Sequence, residues 1–166
     1  ALAALEDKVY LFGGWDGETY VATTYVYDPQ ADAWTAEAAM PTRRGFAAAA
    51  PLADRIYVLG GYANQRELTT CMAYTPAERT WRACAPLAIG RGGVSLVPLG
   101  GYLYAIGGGG WDSYLGFNER YNPQIDAWEA IETPLVDQWR SPGTVAFQNA
   151  IYAIGGNEKA AHLAGI

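Results

Sequence analysis

The sequence predicts an all-β chain: an array of four-stranded antiparallel sheets repeated along its length. Three observations predict it. A short apolar run stopped by two glycines occurs at 9–14, 56–61, 103–108 and 151–156, with steps of 47, 47 and 48 residues. Thirteen residues after the second glycine stands a tyrosine (Tyr27, Tyr74, Tyr121), and seven further on a tryptophan (Trp34, Trp81, Trp128). No window shows a convincing helical period. A fixed period of this length marks a repeat architecture, in which each unit buries its apolar face against its neighbours.

Composition agrees. Of 166 residues, 51% are hydrophobic and 17% charged, which is the balance of a folded chain. The 20 glycines and 9 prolines fall at regular places and so punctuate structure. The net charge of −6 argues against a surface built for phosphate backbones, so no nucleic-acid partner is expected. No apolar run approaches the ~20 residues of a membrane helix, and no membrane partner is expected.

The elements follow in order within each unit. A small-residue strand is expected at 46–50, 92–97 and 143–147, with a shortened copy at 1–5. Ala47, Ala48, Ala49 and Ala50 are small throughout, as suits sheets crowding near an axis. The second strand ends in the glycine pair. Ile56, Tyr57, Val58 and Leu59 are apolar without alternation, so both faces are covered. Gly13-Gly14, Gly60-Gly61, Gly107-Gly108 and Gly155-Gly156 supply unusual φ values and let another backbone come close. The third and fourth strands flank a tight turn, as in Tyr27-Asp28-Pro29-Gln30-Ala31-Asp32-Ala33-Trp34. There proline fixes φ, Asp bonds its own backbone, and Tyr sits opposite Trp. The chain then turns at Met40-Pro41, Ala85-Pro86 and Thr133-Pro134.

The apolar strand with Gly-Gly, then Tyr-x-Pro, then Trp seven residues after Tyr resembles the kelch repeat over essentially the whole chain. The resemblance implies a β-propeller, each repeat forming one four-stranded blade. The expected organisation is one partial propeller over 1–166. Its repeats run approximately 1–41, 42–86 and 87–134, with an incomplete blade at 135–166. Such a ring is incomplete, so the remaining blades are expected from a longer chain, the favoured source, or from further copies.

Candidate contact residues fall at one end of the repeat. Arg44 and Arg91 each stand ten residues after their tryptophan and sixteen before their glycine pair, and Arg140 recurs nearby. In the incomplete fourth unit Trp139 occupies the matching register. In kelch adaptor proteins that this pattern resembles, arginines here line a channel mouth and bind acidic peptides. A guanidinium fork holds a carboxylate bidentately, and several around one mouth focus positive potential. The equally open alternative is that each caps backbone carbonyls or pairs with a local Asp. The loops after the glycine pairs carry Trp15, Asp16, Tyr62, Asn64, Trp111, Asp112, Tyr114 and Asn157. Aromatics beside polar groups suit a peptide or sugar site, or else simply cover a blade edge. The repeated Tyr and Trp are assigned to packing between blades.

Counting outward from Tyr74 opposite Trp81 puts Cys71 opposite Cys84. They form either a cross-strand disulfide or two reduced, buried thiols. Enzymatic signals are sparse. His162 is the one histidine, no Cys/His cluster has zinc spacing, and Gly107 to Gly110 lacks the Lys-Ser/Thr of a phosphate loop. No cofactor and no metal is expected. The expected function is a binding module, taking a protein segment, an acidic peptide or a small anionic ligand. The alternatives are a sugar-acid-active kelch enzyme, similar to the sialic acid mutarotases, and a purely structural domain.

Overall fold

The computed structural model describes residues 1–110, 115–133, 139–158 and 164–165. Those residues are all-β, with no helix among them. The first sheet runs β1 (Leu2–Leu5), β2 (Lys8–Trp15), β3 (Tyr20–Asp28) and β4 (Ala33–Ala36), each antiparallel to the next. The second has β5 (Ala48–Leu52) and β6 (Arg55–Leu59), then a small ribbon of β7 (Tyr62–Ala63) and β8 (Arg66–Glu67), then β9 (Cys71–Thr75) and β10 (Thr80–Cys84). The third comprises β11 (Ser95–Leu99), β12 (Tyr102–Ile106), β13 (Asn118–Asn122) and β14 (Ala127–Ile131). The fourth region holds β15 (Trp139–Arg140), β16 (Gly143–Phe147), β17 (Ala150–Ile154), β18 (Asn157–Glu158) and β19 (Ala164–Gly165). There β16, β17 and β19 make a three-stranded sheet and β15 pairs with β18.

The register follows the sequence period. Tyr27 faces Trp34, Tyr74 faces Trp81 and Tyr121 faces Trp128. The inner strands β1, β5, β11 and β16 neighbour one another in that order. β16 starts at Gly143 as expected, but two others begin later than the small-residue runs suggest: β5 starts at Ala48 and β11 at Ser95. The cause is local. Phe46 and Gly93 have φ of 53° and 59°, a left-handed conformation that cannot continue a strand.

The first two junctions between sheets are aromatic cores. Tyr10 and Phe12 of the first sheet pack with Ile56, Val58, Tyr74 and Trp81 of the second. Tyr57, Leu59 and Ala73 pack in the same way with Leu96, Leu103, Ala105 and Tyr121 of the third. Fully burying one such ring is worth about 2–3 kcal/mol. Trp81 and Trp128 also donate Nε1–H across the junction, to the carbonyls of Ala38 and Ala85, each at 2.8 Å. The array is open at both ends. Leu2, Tyr25 and Trp34 are exposed on the outer face of the first sheet, and Val145, Phe147 and Ile154 on that of the fourth.

The glycine pairs are where neighbouring backbones meet. Gly60 and Gly61 have φ of 62° and 91°. A Cβ at Gly60 would strike the Arg91 carbonyl, and one at Gly61 would lie 2.5 Å from the Gly45 carbonyl. No side chain fits at either. In the second sheet, Cys71 and Cys84 are directly opposed on β9 and β10 and their sulfurs are joined at 2.09 Å.

Candidate functional site

The end of each sheet where the glycine pairs lie is built from two kinds of segment, the connectors between sheets and the loops after the glycines. Backbone bonds tie them together at a repeated position. Gly14 N–H donates to the Arg44 carbonyl at 2.9 Å, Gly61 to Arg91 at 2.8 Å and Gly108 to Trp139 at 2.6 Å. Trp139 thus holds the register of the two arginines, and Arg140 lies one step beyond it.

Arg44 and Arg91 are fully buried. Arg44 Nη1 donates to the carbonyls of Gly60 and Thr70 at 3.0 and 3.1 Å, and Nη2 donates to Thr70 Oγ1 at 2.9 Å. Arg91 repeats this one sheet later, with Nη1 donating to Gly107 and Phe117 at 3.1 and 2.5 Å. Its Nη2 pairs with Glu119 Oε2 at 2.8 Å, and Glu119 Oε1 accepts from Ala88 N–H. Each arginine therefore belongs by its carbonyl to one sheet and by its side chain to the next. Of the two roles open to these residues, this geometry supplies the partners for carbonyl capping. Burial pushes the Arg44 guanidinium down to about 10. Arg91 is lowered by burial too, with Glu119 opposing the shift.

Several aromatic rings gather on this face. Trp15 is 57% exposed and stands edge-on to Tyr20, ring centroids 5.1 Å apart. Tyr20 lies flat on Gly45, where a Cβ would meet its ring at 2.6 Å. The next residue, Phe46, is 50% exposed and meets Tyr62 edge-on at 5.9 Å. Tyr62 is fully buried; its ring occupies the space a Cβ at Gly92 would need, and its hydroxyl donates to the Gly109 carbonyl at 2.6 Å. The Arg140 guanidinium, largely buried, sits 5.9 Å from the Phe46 ring and 5.5 Å from that of Tyr62. Trp15 and Tyr20 thus form one ring pair against Gly45, and Phe46, Tyr62 and Arg140 form a second cluster on the next connector.

The polar candidates divide. Asp16 is exposed, and its Oδ1 accepts from the Glu18 and Thr19 amides at 2.9 and 2.8 Å, which hold its carboxyl below the usual range. Asn64 is exposed in the turn between β7 and β8, with φ of 48°. Arg43 and Arg66 are exposed on a connector and a loop of this end; Arg43 acts on the Asp16 carboxylate and Glu67 follows Arg66 directly. Trp111, Asp112, Tyr114, Pro134 and His162 lie outside the described residues. Among the described residues no cluster of three or more His, Cys, Asp and Glu is placed to hold a metal. A cleft of about 190 Å³, lined by Arg55, Tyr57, Arg82, Cys84, Tyr121 and Asp126, lies at the opposite end of the strands.

Sequence reasoning missed Phe46 by placing it in a strand. The signal was present in the repeat. Two residues after the registered position stand Phe46, Gly93 and Ser141, and a glycine at one of three equivalent places marks a left-handed conformation. All three adopt it, with φ of 53°, 59° and 55°. They also bond in series from one connector to the next: Gly93 N–H donates to the Phe46 carbonyl at 2.8 Å, and Ser141 N–H to the Gly93 carbonyl at 2.6 Å.

A scan against protein families matches residues 1–156 to the KLHDC2/KLHL20/DRC7 Kelch-repeats domain. No curated protein matches the chain.

Proposed function

This chain belongs to the kelch-repeat family, the family of β-propeller interaction modules, and from that premise we propose that its loop face docks an acidic segment of a partner protein. The observation that carries the reading is the pair of exposed rings, Trp15 and Phe46, on the segments that also carry the exposed guanidiniums Arg43 and Arg66. Large rings standing exposed on a rigid, hydrogen-bonded face are the usual anchors of an interface. Trp15 and Phe46 supply the apolar contact area. Arg43 and Arg66 supply the charge, since Arg44 and Arg91 are engaged between sheets. Both guanidiniums are exposed, among the carboxylates of Asp16, Glu18 and Glu67 on the same loops, and each offers a fork that a carboxylate of the segment would engage.

The test is selection of random dodecapeptides displayed on phage, followed by titration of the recovered peptides. The expected result is enrichment in Asp and Glu, with affinity that falls as salt rises. Arg43→Ala combined with Arg66→Ala is expected to weaken binding about tenfold, mostly in association rate. Recovered peptides without acidic residues, or indifference to the double substitution, would count against the acidic preference. If a free dicarboxylate binds as tightly as the peptides, the ligand is a small anion and not a segment.

A further inference from the structure

The junction between the second and third sheets repeats the one before it, but with different residues at its outer end. Cys84 stands three residues after Trp81, where Glu37 follows Trp34, and Asp126 stands two before Trp128, where Arg79 precedes Trp81. Ala73 and Arg82 likewise take the places of Val26 and Thr35. At the first junction the Glu37 carboxylate bridges the two sheets. Tyr74 donates its hydroxyl to Glu37 Oε2 at 2.9 Å, and Arg79 Nε donates to the same oxygen at 2.6 Å. At the second junction the disulfide-bonded Cys84 brings no carboxylate to that point, and Ala73 is smaller than Val26. There the cleft of about 190 Å³ opens, with Arg55, Tyr57, Ala73, Arg82, Tyr121 and Asp126 in its walls.

We propose that this cleft binds a small monocarboxylic acid, whose carboxylate takes the place that Glu37 holds at the first junction. Two guanidiniums serve it. Arg82 opposes Ala73 and Cys84 opposes Cys71, so both point from β10 toward the third sheet. Arg55 Nε is enclosed and makes no hydrogen bond; Asp54 Oδ1 stands 3.8 Å from it. Arg82 Nη2 faces Glu78 Oε2 at 3.7 Å. Both pairs are longer than hydrogen bonds and join exposed side chains, so they are weak and yield to a better acceptor. A carboxylate held by a guanidinium fork is one. Asp126 is already engaged, its Oδ1 accepting from the Tyr121 hydroxyl at 2.6 Å and from Ala85 N–H at 2.8 Å. Its charge opposes a second carboxylate on the ligand. The rings of Tyr57 and Tyr121, centroids 5.4 Å apart, offer a surface to a short apolar tail. A cleft smaller than the ~300 Å³ of the usual ligand pocket restricts that tail to a few carbons. The site lies at the other end of the strands from the loop face, and stands or falls apart from peptide docking there.

Propionate, a Glu side chain freed of its backbone, is the probe, and propionamide its neutral control. Each is titrated into the 166-residue chain and followed by amide chemical shifts. Propionate is expected to give saturable shifts at Arg82, Ala83, Cys84 and Asp126 with millimolar affinity, and propionamide to bind at least ~10-fold more weakly. Succinate should bind no tighter than propionate. Arg82→Ala removes an exposed side chain, so the melting temperature should hold while propionate weakens about tenfold. The Cys71→Ala/Cys84→Ala variant should keep propionate binding. Cys71→Ala/Cys84→Glu should lose it and melt no lower than the double Ala variant, since the new side chain brings its own carboxylate to the two guanidiniums. Saturable shifts absent up to about 100 mM propionate would overturn the proposal. So would propionamide binding as tightly as propionate, Arg82→Ala binding undiminished, or a Cys84→Glu cleft that still takes propionate.

Discussion

Arg44 and Arg91 do the same work on unequal terms. Both are buried cations bonded to the carbonyls of the next sheet, but Arg91 faces Glu119 whereas Met72 stands at the equivalent place in the second sheet. Removing Arg91 leaves a buried carboxylate unpaired; removing Arg44 leaves carbonyls alone. Arg91→Met is therefore expected to cost about 3–5 kcal/mol and Arg44→Met about 2 kcal/mol, read from urea midpoints. Arg91→Met with Glu119→Met should be milder than Arg91→Met alone, and a worse double variant would overturn this account. Tyrosines set the alkaline limit. Tyr74 and Tyr121 are held well above the usual phenol value of 10.0, first by burial and then by donating to Glu37 and Asp126. Folding gains from them below that pH and loses the gain as the unfolded chain begins to ionise above it. Arg44 works in the opposite sense above about 10, but Tyr10, Tyr27 and Tyr57 are raised as well. Stability should fall beyond pH 10, and the double Phe variant of Tyr74 and Tyr121 should flatten that fall.

At the level of the element, equivalent residues differ in what they touch. Trp81 and Trp128 donate across a junction; Trp34, at the same register, is 52% exposed. Substitution by Phe is expected to cost about 1–2 kcal/mol at the first two and less than about 0.5 kcal/mol at Trp34. Equal costs at all three in thermal melts would contradict the cross-junction role. The Cys71–Cys84 bridge closes the outer hairpin of the second sheet, with a sequence separation of 13. On chain entropy its removal should cost roughly 3 kcal/mol. Dithiothreitol treatment and the Cys71→Ala/Cys84→Ala variant are expected to shift the urea midpoint alike. The seven-residue Tyr–Trp interval told which residues oppose one another, and Cys71 facing Cys84 follows from counting. Whether the sulfurs bond did not follow, since a buried thiol pair satisfies the same register.

At the scale of the molecule, the two open faces are unlike halves of one kind of junction. The first sheet presents Tyr25 and Trp34; the fourth presents Val145, Phe147 and Ile154, and Ile154 stands where Leu59 does in the second sheet. Exposed apolar faces of this kind promote association. Because the halves are unlike, the contact is head to tail. Light scattering of the 166-residue chain is expected to show mass rising with concentration. Phe147→Lys or Trp34→Lys alone should suppress it, and a constant monomer mass would exclude it.

By itself the sequence determined the repeat, the strand order, the Tyr–Trp register and the family, because each depends on local spacing that every unit repeats. The tertiary structure decided where the loop-end side chains lie. A guanidinium at Arg44 suits a ligand or a neighbouring carbonyl equally well until burial removes it from solvent. Phe46 looks like a strand residue until its φ shows otherwise. Trp139 and Arg140 are told apart when the Gly108 amide bonds the Trp139 carbonyl. Spacing along a chain fixes which residues recur, but the direction a side chain takes depends on the sheet that packs against it.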